Sequence, residues 1–210
     1  MHALQKSMPA AFVVLMAAVL PSLARGQAAQ TAPKPLAHVY PRGSATDVSN
    51  RDIETVVKKT ADQPTSDQNI KTMDIGGLYQ IEIGVVHRLK QQQAGDQVGS
   101  GALEHLQITE IYHVMSGGGT FVTGGTLDNA SEVAPDSALA TTLTGRSSRG
   151  RLRPGSGQSR RVGPGDVVVL PPNTPHVFTE VDDSGIVYMV VRVDPHYVLP
   201  KNYVNDAIRK

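Results

Sequence analysis

The chain of 210 residues contains no cysteine and no tryptophan, and only 4% of its residues are aromatic. Without cysteine there is no disulfide, no thiol nucleophile, no thiolate metal site and no lipid-modified cysteine anchor. The fold must rest on its core alone, and any bound ion must be held by histidine, carboxylate or amide groups. An excess of one charge is also missing: 20 Lys and Arg stand against 19 Asp and Glu, a net charge of +1. That balance gives no reason to expect nucleic acid or an anionic membrane surface as a partner. Beyond residue 20 no stretch is long and apolar enough for a transmembrane helix. Phosphate-loop and dinucleotide fingerprints do not occur in a strand-to-helix context, and no Ser-His-Asp arrangement stands out.

Twenty Gly and fourteen Pro favour many turns over long helices. The single apolar run, Met8 to Leu20, is broken only by Pro9, follows Lys6 and precedes the small residues of "SLARGQAA". It falls short of the ~20 residues that span a bilayer. Residues 1–26 therefore read as a signal peptide, which predicts a secreted or periplasmic protein with no stable membrane insertion after cleavage. The alternative is an uncleaved anchor or a buried helix. Residues 27–48, small, polar and proline-containing, read as a linker or extended arm. Residues 49–75 hold one short amphipathic helix and a lead-in, with Ser49 as N-cap, Asp52 three residues on, and a stripe of Ile53, Val56 and Val57.

From residue 76 to 194 the period changes to two, and 195–210 reads as a C-terminal tail. In "LYQIEIGVVHR", Tyr79, Ile81, Ile83, Val85 and His87 share one face. Further strands are expected at 102–109, 110–115, 120–122, 138–143, 167–170, 176–181 and 186–193. Short strands with no helix between them predict an all-β, antiparallel barrel or sandwich. The arginine- and glycine-rich segment 144–161 reads as a flexible, solvated loop, or else as a positively charged flap over a pocket. It has no interleaved aromatic residue for stacking on bases.

Two stretches carry the chemistry. On a strand through "ALEHLQI", Leu103, His105 and Gln107 share a face. After a turn near Ile108 and Thr109, Glu110, Tyr112 and Val114 share a face of the next strand, with His113 on the other. If both faces point inward, His105 and Glu110 converge. In "PGDVVVLPPNTPHVF", Pro171 and Pro172 end a strand because neither can donate to a ladder. Asn173 tolerates a left-handed turn and Pro175 stiffens the return, so His176 enters the next strand with little freedom.

These residues resemble the cupin superfamily, small antiparallel jelly-roll β-barrels that often hold one metal. The family's first motif, G-x5-H-x-H-x(3,4)-E-x6-G, is matched in its later part by His105, Glu110 and Gly117. Its second, G-x5-P-x-G-x2-H-x3-N, is matched by Gly165, Pro171 and His176, with Asn173 in place of Gly. Leu103 stands where the family often has its first histidine, and Glu180 where the second motif ends in Asn.

The resemblance implies a divalent ion (Fe, Mn, Ni or Zn) held by His105, Glu110 and His176; Gln107 sits on the right face to be a fourth, weaker ligand through its amide oxygen. Two imidazoles and one carboxylate suit Zn²⁺ or a facial-triad Fe(II) site with open positions. Tyr112 and Glu110 are then the candidate catalytic residues, and His87 either binds substrate or is a hydrogen-bonded core residue. The implied partners are a small molecule and, in a homodimer, a second copy. The implied activity is dioxygenase, isomerase or lyase/decarboxylase chemistry on a small polar molecule. The alternative is a non-catalytic small-ligand-binding or structural module of the same fold.

Overall fold

A computed structural model describes residue 43 and residues 45–209. The signal peptide expected at 1–26, and the part of the arm up to residue 42 with residue 44, lie outside the described residues. Helix α1 (Asn50–Lys59) begins at a capping box in which the Ser49 hydroxyl accepts from the Asp52 N–H and the Asp52 carboxylate accepts from the Ser49 N–H. The stripe works as expected: Ile53 and Val56 are buried, and they pack against Ile70 and Val85 of the sheet behind them. Among the described residues no helix is long and apolar enough to cross a membrane.

Ten antiparallel strands follow: β1 (Thr65–Ile75), β2 (Tyr79–Arg88), β3 (Gln91–Gln92), β4 (Ala102–His105), β5 (Thr109–Thr123), β6 (Leu127–Glu132), β7 (Ser147–Leu152), β8 (Gln158–Val162), β9 (Val167–Leu170) and β10 (His176–Asp194). One path through the sheet runs β1-β2-β10-β4-β7-β6, and β5 adds β8 and β9 by pairing with β10. The jelly-roll is wrapped but not closed into a ring. β10 is its spine, pairing with β2, β3, β4 and β5. The core lies between β2, β5, β8, β9 and β10, around Val86, Val114, Phe121, Phe178, Tyr188 and Val190.

Several elements differ from the sequence reading. The sheet starts at Thr65, inside the expected lead-in, because β1 pairs along the whole of β2. Segments 110–115 and 120–122 are one strand, as are 176–181 and 186–193; Gly117 lets the bulged backbones meet. It has φ +70°, and a side chain there would collide with the Gly185 carbonyl. Segment 138–143 is not a strand but part of a π-helical turn (Leu139–Thr144), held by Ser137, whose carbonyl accepts from the Thr141 N–H. The arginine-rich segment is neither a flexible loop nor a flap. It forms β7, a turn and β8, and Arg146, Arg153 and Arg161 pair with Glu132, Asp128 and Asp182. The tail is docked: Asn205 is buried, and Leu199 lies 3% exposed with its carbonyl accepting from Gln80. β9 is buried on one face only, since Val167 and Val169 are 61% and 56% exposed on a strand that pairs only with β5.

Candidate metal centre

Each of the three distant residues reaches the centre for a local reason. β4 ends at His105, and the Asn173 N–H donates to the His105 carbonyl over 2.8 Å, tying the proline turn to that strand end. Asn173 adopts the expected left-handed backbone, φ +61°. The turn delivers His176 as the first residue of β10, paired with Leu103 on one side and Thr123 on the other. Glu110 points inward from the second position of β5.

Their ligand atoms all lie within 4.8 Å of one another, and all three residues are buried. Glu110 Oε2 is 3.4 Å from His105 Nε2 and 3.8 Å from His176 Nε2. Donors at neighbouring positions around one ion, at bonds of about 2.0–2.2 Å, are separated by about 3–3.5 Å. A small contraction would bring these three to that spacing.

The hydrogen bonds behind the imidazoles point the right nitrogens inward. His176 Nδ1 lies 3.0 Å from the Thr174 carbonyl, which can only accept. His105 Nδ1 lies 2.9 Å from Ser147 Oγ, whose own proton goes to the Gly145 carbonyl at 3.1 Å. The neutral His176 ring therefore carries its proton on Nδ1, and the Nε2 atoms of both rings face Glu110. Outer partners of this kind fix tautomer and ring orientation in metal-binding histidines. Burial, reinforced by His105, pushes the His176 imidazole down to about 4, so it is neutral and able to ligate at physiological pH. Two imidazoles and one carboxylate fit a divalent transition ion.

Burial works against charge on Glu110, but His105 and Arg192 hold its carboxyl well below the usual carboxylate range. Arg192 is 1% exposed and engages three carboxylates. Nε donates to Glu110 Oε1 (2.8 Å), Nη1 to Glu82 Oε1 (2.7 Å) and Nη2 to Asp67 Oδ2 (2.6 Å). Glu110 is thus gripped through one oxygen and offers the other to the centre. Tyr112 donates to that second oxygen at 2.8 Å and lies 3.4 Å from His176 Nε2. Burial raises its hydroxyl well above the usual tyrosine range, so it keeps its proton.

Glu82 gives a pH test. Burial drives its carboxyl up from 4.5 to about 8 despite Arg192. A raised carboxyl binds more protons folded than unfolded, so its contribution to stability falls as pH rises from 4.5 through 8. The lowered His176 acts oppositely, adding stability between about 4 and 6.5. Between pH 6.5 and 8 the urea midpoint of wild type is therefore expected to fall relative to Glu82→Gln; parallel curves would contradict it.

Two expected members of the site are elsewhere. Gln107 follows the end of β4 and sits in a turn, where its Oε1 accepts from the Arg146 N–H at 3.1 Å. It does not join the cluster. His87 lies on the outer face of β2, with Nε2 3.0 Å from the Gln63 carbonyl, as a hydrogen-bonded core residue. His113 is exposed, as its parity requires. Both halves of the sequence pattern thus meet at one point inside an antiparallel jelly-roll. The fold is cupin-like.

No protein-family model matches this chain, and no curated protein is significantly similar to it in sequence. Solved structures that resemble this cupin-like fold include a Bacillus halodurans protein, with 13% identity over 80% of this chain and 94% of that one, at a TM-score of 0.41. An oxalate decarboxylase of Bacillus subtilis matches with 12% identity over 64% of this chain and 26% of that one, TM-score 0.37. The 11S globulin of Wrightia tinctoria matches with 11% identity over 63% and 26%, TM-score 0.37. This chain spans about a quarter of the length of the decarboxylase and globulin chains.

The sequence reading missed Arg192, Arg88, Glu82 and Tyr188. A signal was present: Tyr188, Val190 and Arg192 share the parity of Ile186, so a cation lay on a face otherwise built for burial. Arg88 and Tyr188, with Tyr112, Phe121, Phe178 and His176, line a cavity of about 200 Å³ beside the centre.

Proposed function

We propose that the protein is a metal-dependent enzyme acting on a small polar molecule, with oxygenase or lyase/decarboxylase chemistry. The observation that carries this reading is the convergence of His105, Glu110 and His176, the last of which lines a small cavity together with Tyr112. These residues would hold one divalent ion (Fe, Mn, Ni or Zn). When bound, the ion would polarise an oxygen of substrate or O₂. Three protein ligands leave positions open for the reacting molecule.

Tyr112 is the candidate proton donor or orienting hydroxyl, because it holds its proton and stands between Glu110 and His176. Export remains our proposal for its localisation, on the sequence of residues 1–26. The test is a panel of small polar molecules followed by oxygen uptake and carbon dioxide release. Turnover is expected to vanish on chelation and return with one added ion. Turnover indifferent to chelation, or metal-loaded protein that converts nothing in the panel, favours the non-catalytic module instead.

A further inference from the structure

Two arginines enter the interior of the sheet from the same parity of adjacent strands, and they are treated in opposite ways. Arg192 meets three carboxylates. Arg88, the last residue of β2, has none within ion-pair distance among the described residues. Its one hydrogen bond there runs from Nε to the Tyr188 hydroxyl at 3.3 Å, and its guanidinium carbon lies 5.4 Å from the centre of the Phe178 ring. Among the described residues its two terminal amino groups have no acceptor, and the side chain lines the cavity. No acidic residue shares that wall. Arg88 is half-buried, and a guanidinium whose amino groups open onto a cavity with no acidic residue in its lining is placed to take its negative charge from a bound molecule.

The cavity narrows the choice. Its volume of about 200 Å³ equals roughly six or seven waters at ~30 Å³ each. One guanidinium, with no second cation in the lining, balances a single negative charge. The fork of a guanidinium matches the two oxygens of a planar carboxylate. Phe178 and Tyr188, stacked at 29°, give that end of the cavity flat walls. His176 and Tyr112 lie in the same lining, so a molecule held at Arg88 has its other end at the candidate centre.

We propose that the cavity binds a short-chain carboxylate, its carboxylate forked on the terminal amino groups of Arg88 and its remaining polar atoms facing His176 and Tyr112. This names the substrate class for the reading above and rests on it. The anchor itself does not require the ion, and that separates the two.

The experiment is calorimetric titration of the full chain, with and without added ion, using lactate, pyruvate, lactamide and inorganic phosphate as probes. The expected result is that lactate or pyruvate binds, and that lactamide, which lacks the charge, binds about tenfold more weakly or worse. Arg88→Lys keeps a charge but loses the fork, and should lose about tenfold in carboxylate affinity with metal content unchanged. The lactamide comparison uses wild type alone, so it stands even if an Arg88 variant folds poorly. Equal binding of lactate and lactamide, phosphate preferred to both carboxylates, or full affinity in Arg88→Lys would each overturn the proposal. Metal bound with no carboxylate affinity sinks this inference and leaves the metal reading intact. Carboxylate affinity without any metal binding does the reverse.

Discussion

Replacing Arg192 by methionine is expected to destabilise the protein by about 3–5 kcal/mol, the usual consequence of removing one partner from a buried ionic cluster. On a chain of this size that lowers Tm by on the order of 10 °C. The reason is specific. Arg192 is the shared counter-ion of Asp67, Glu82 and Glu110, and Glu82 and Glu110 lie at 0% and 1% exposure. Taking away the guanidinium leaves these carboxylates facing one another with no cation, and protonating them is the only relief. Glu82 already sits near that limit. Lysine at 192 would keep the charge but could not reach three acceptors in different directions, so Arg192→Lys should fall between wild type and Arg192→Met. Urea unfolding followed by circular dichroism measures both. A loss below about 1 kcal/mol in Arg192→Met would mean the cluster is not what holds this end of the interior together.

The second large effect is on ion affinity. Glu110→Gln is nearly isosteric, yet it removes the only carboxylate of the cluster and puts a neutral amide between the imidazoles. Changes to outer partners alone cost 10–100-fold in metal affinity, so loss of the anionic ligand itself is expected to cost more than about 100-fold. The amide also answers Arg192 less well than Glu110 Oε1 does, and some stability should go with it. Ser147→Ala is the milder companion. It removes the hydrogen-bond partner of His105 Nδ1 and frees the ring to turn, with an expected loss within the 10–100-fold range. Competition with a chromophoric chelator reads both. Equal affinity in Glu110→Gln and wild type would remove Glu110 from the ligand set.

Much of this site was legible from the sequence because it rests on local chemistry. Two prolines, a left-handed Asn173 and a stiffened return placed His176 at a strand start, and strand parity turned Glu110 and Tyr112 inward and His113 out. The capping box and apolar stripe of α1 were equally local. What was not legible depended on what lies across the sheet. In "LYQIEIGVVHR" alternation shows which residues share a face but not which way that face points; the apolar parity packs outward, with Val85 under α1. The polar parity, Gln80, Glu82 and Arg88, faces inward, where its partners Asp194, Arg192 and Tyr188 are all supplied by β10.

Segment 138–143 failed for a related reason. Its alternation of small and apolar residues fits a strand, but a helical turn seeded at Ser137 satisfies the same backbone groups. The arginine-rich segment looked unstructured on composition alone. Its strands follow from acidic partners at Asp128, Glu132 and Asp182, which no local window contains. Gln107 was misplaced because β4 ends at His105, short of the expected 109, and the amide beyond it meets the Arg146 backbone instead of the centre.

The most direct measurement is the metal content of tag-free protein after equilibration with Fe, Mn, Ni or Zn and removal of excess ion, compared with His105→Ala and Glu110→Gln. The account predicts close to one divalent ion per wild-type chain, with thermal stabilisation on binding, and neither property in the two variants. Wild type without a stoichiometric ion, or variants that retain one, would contradict it.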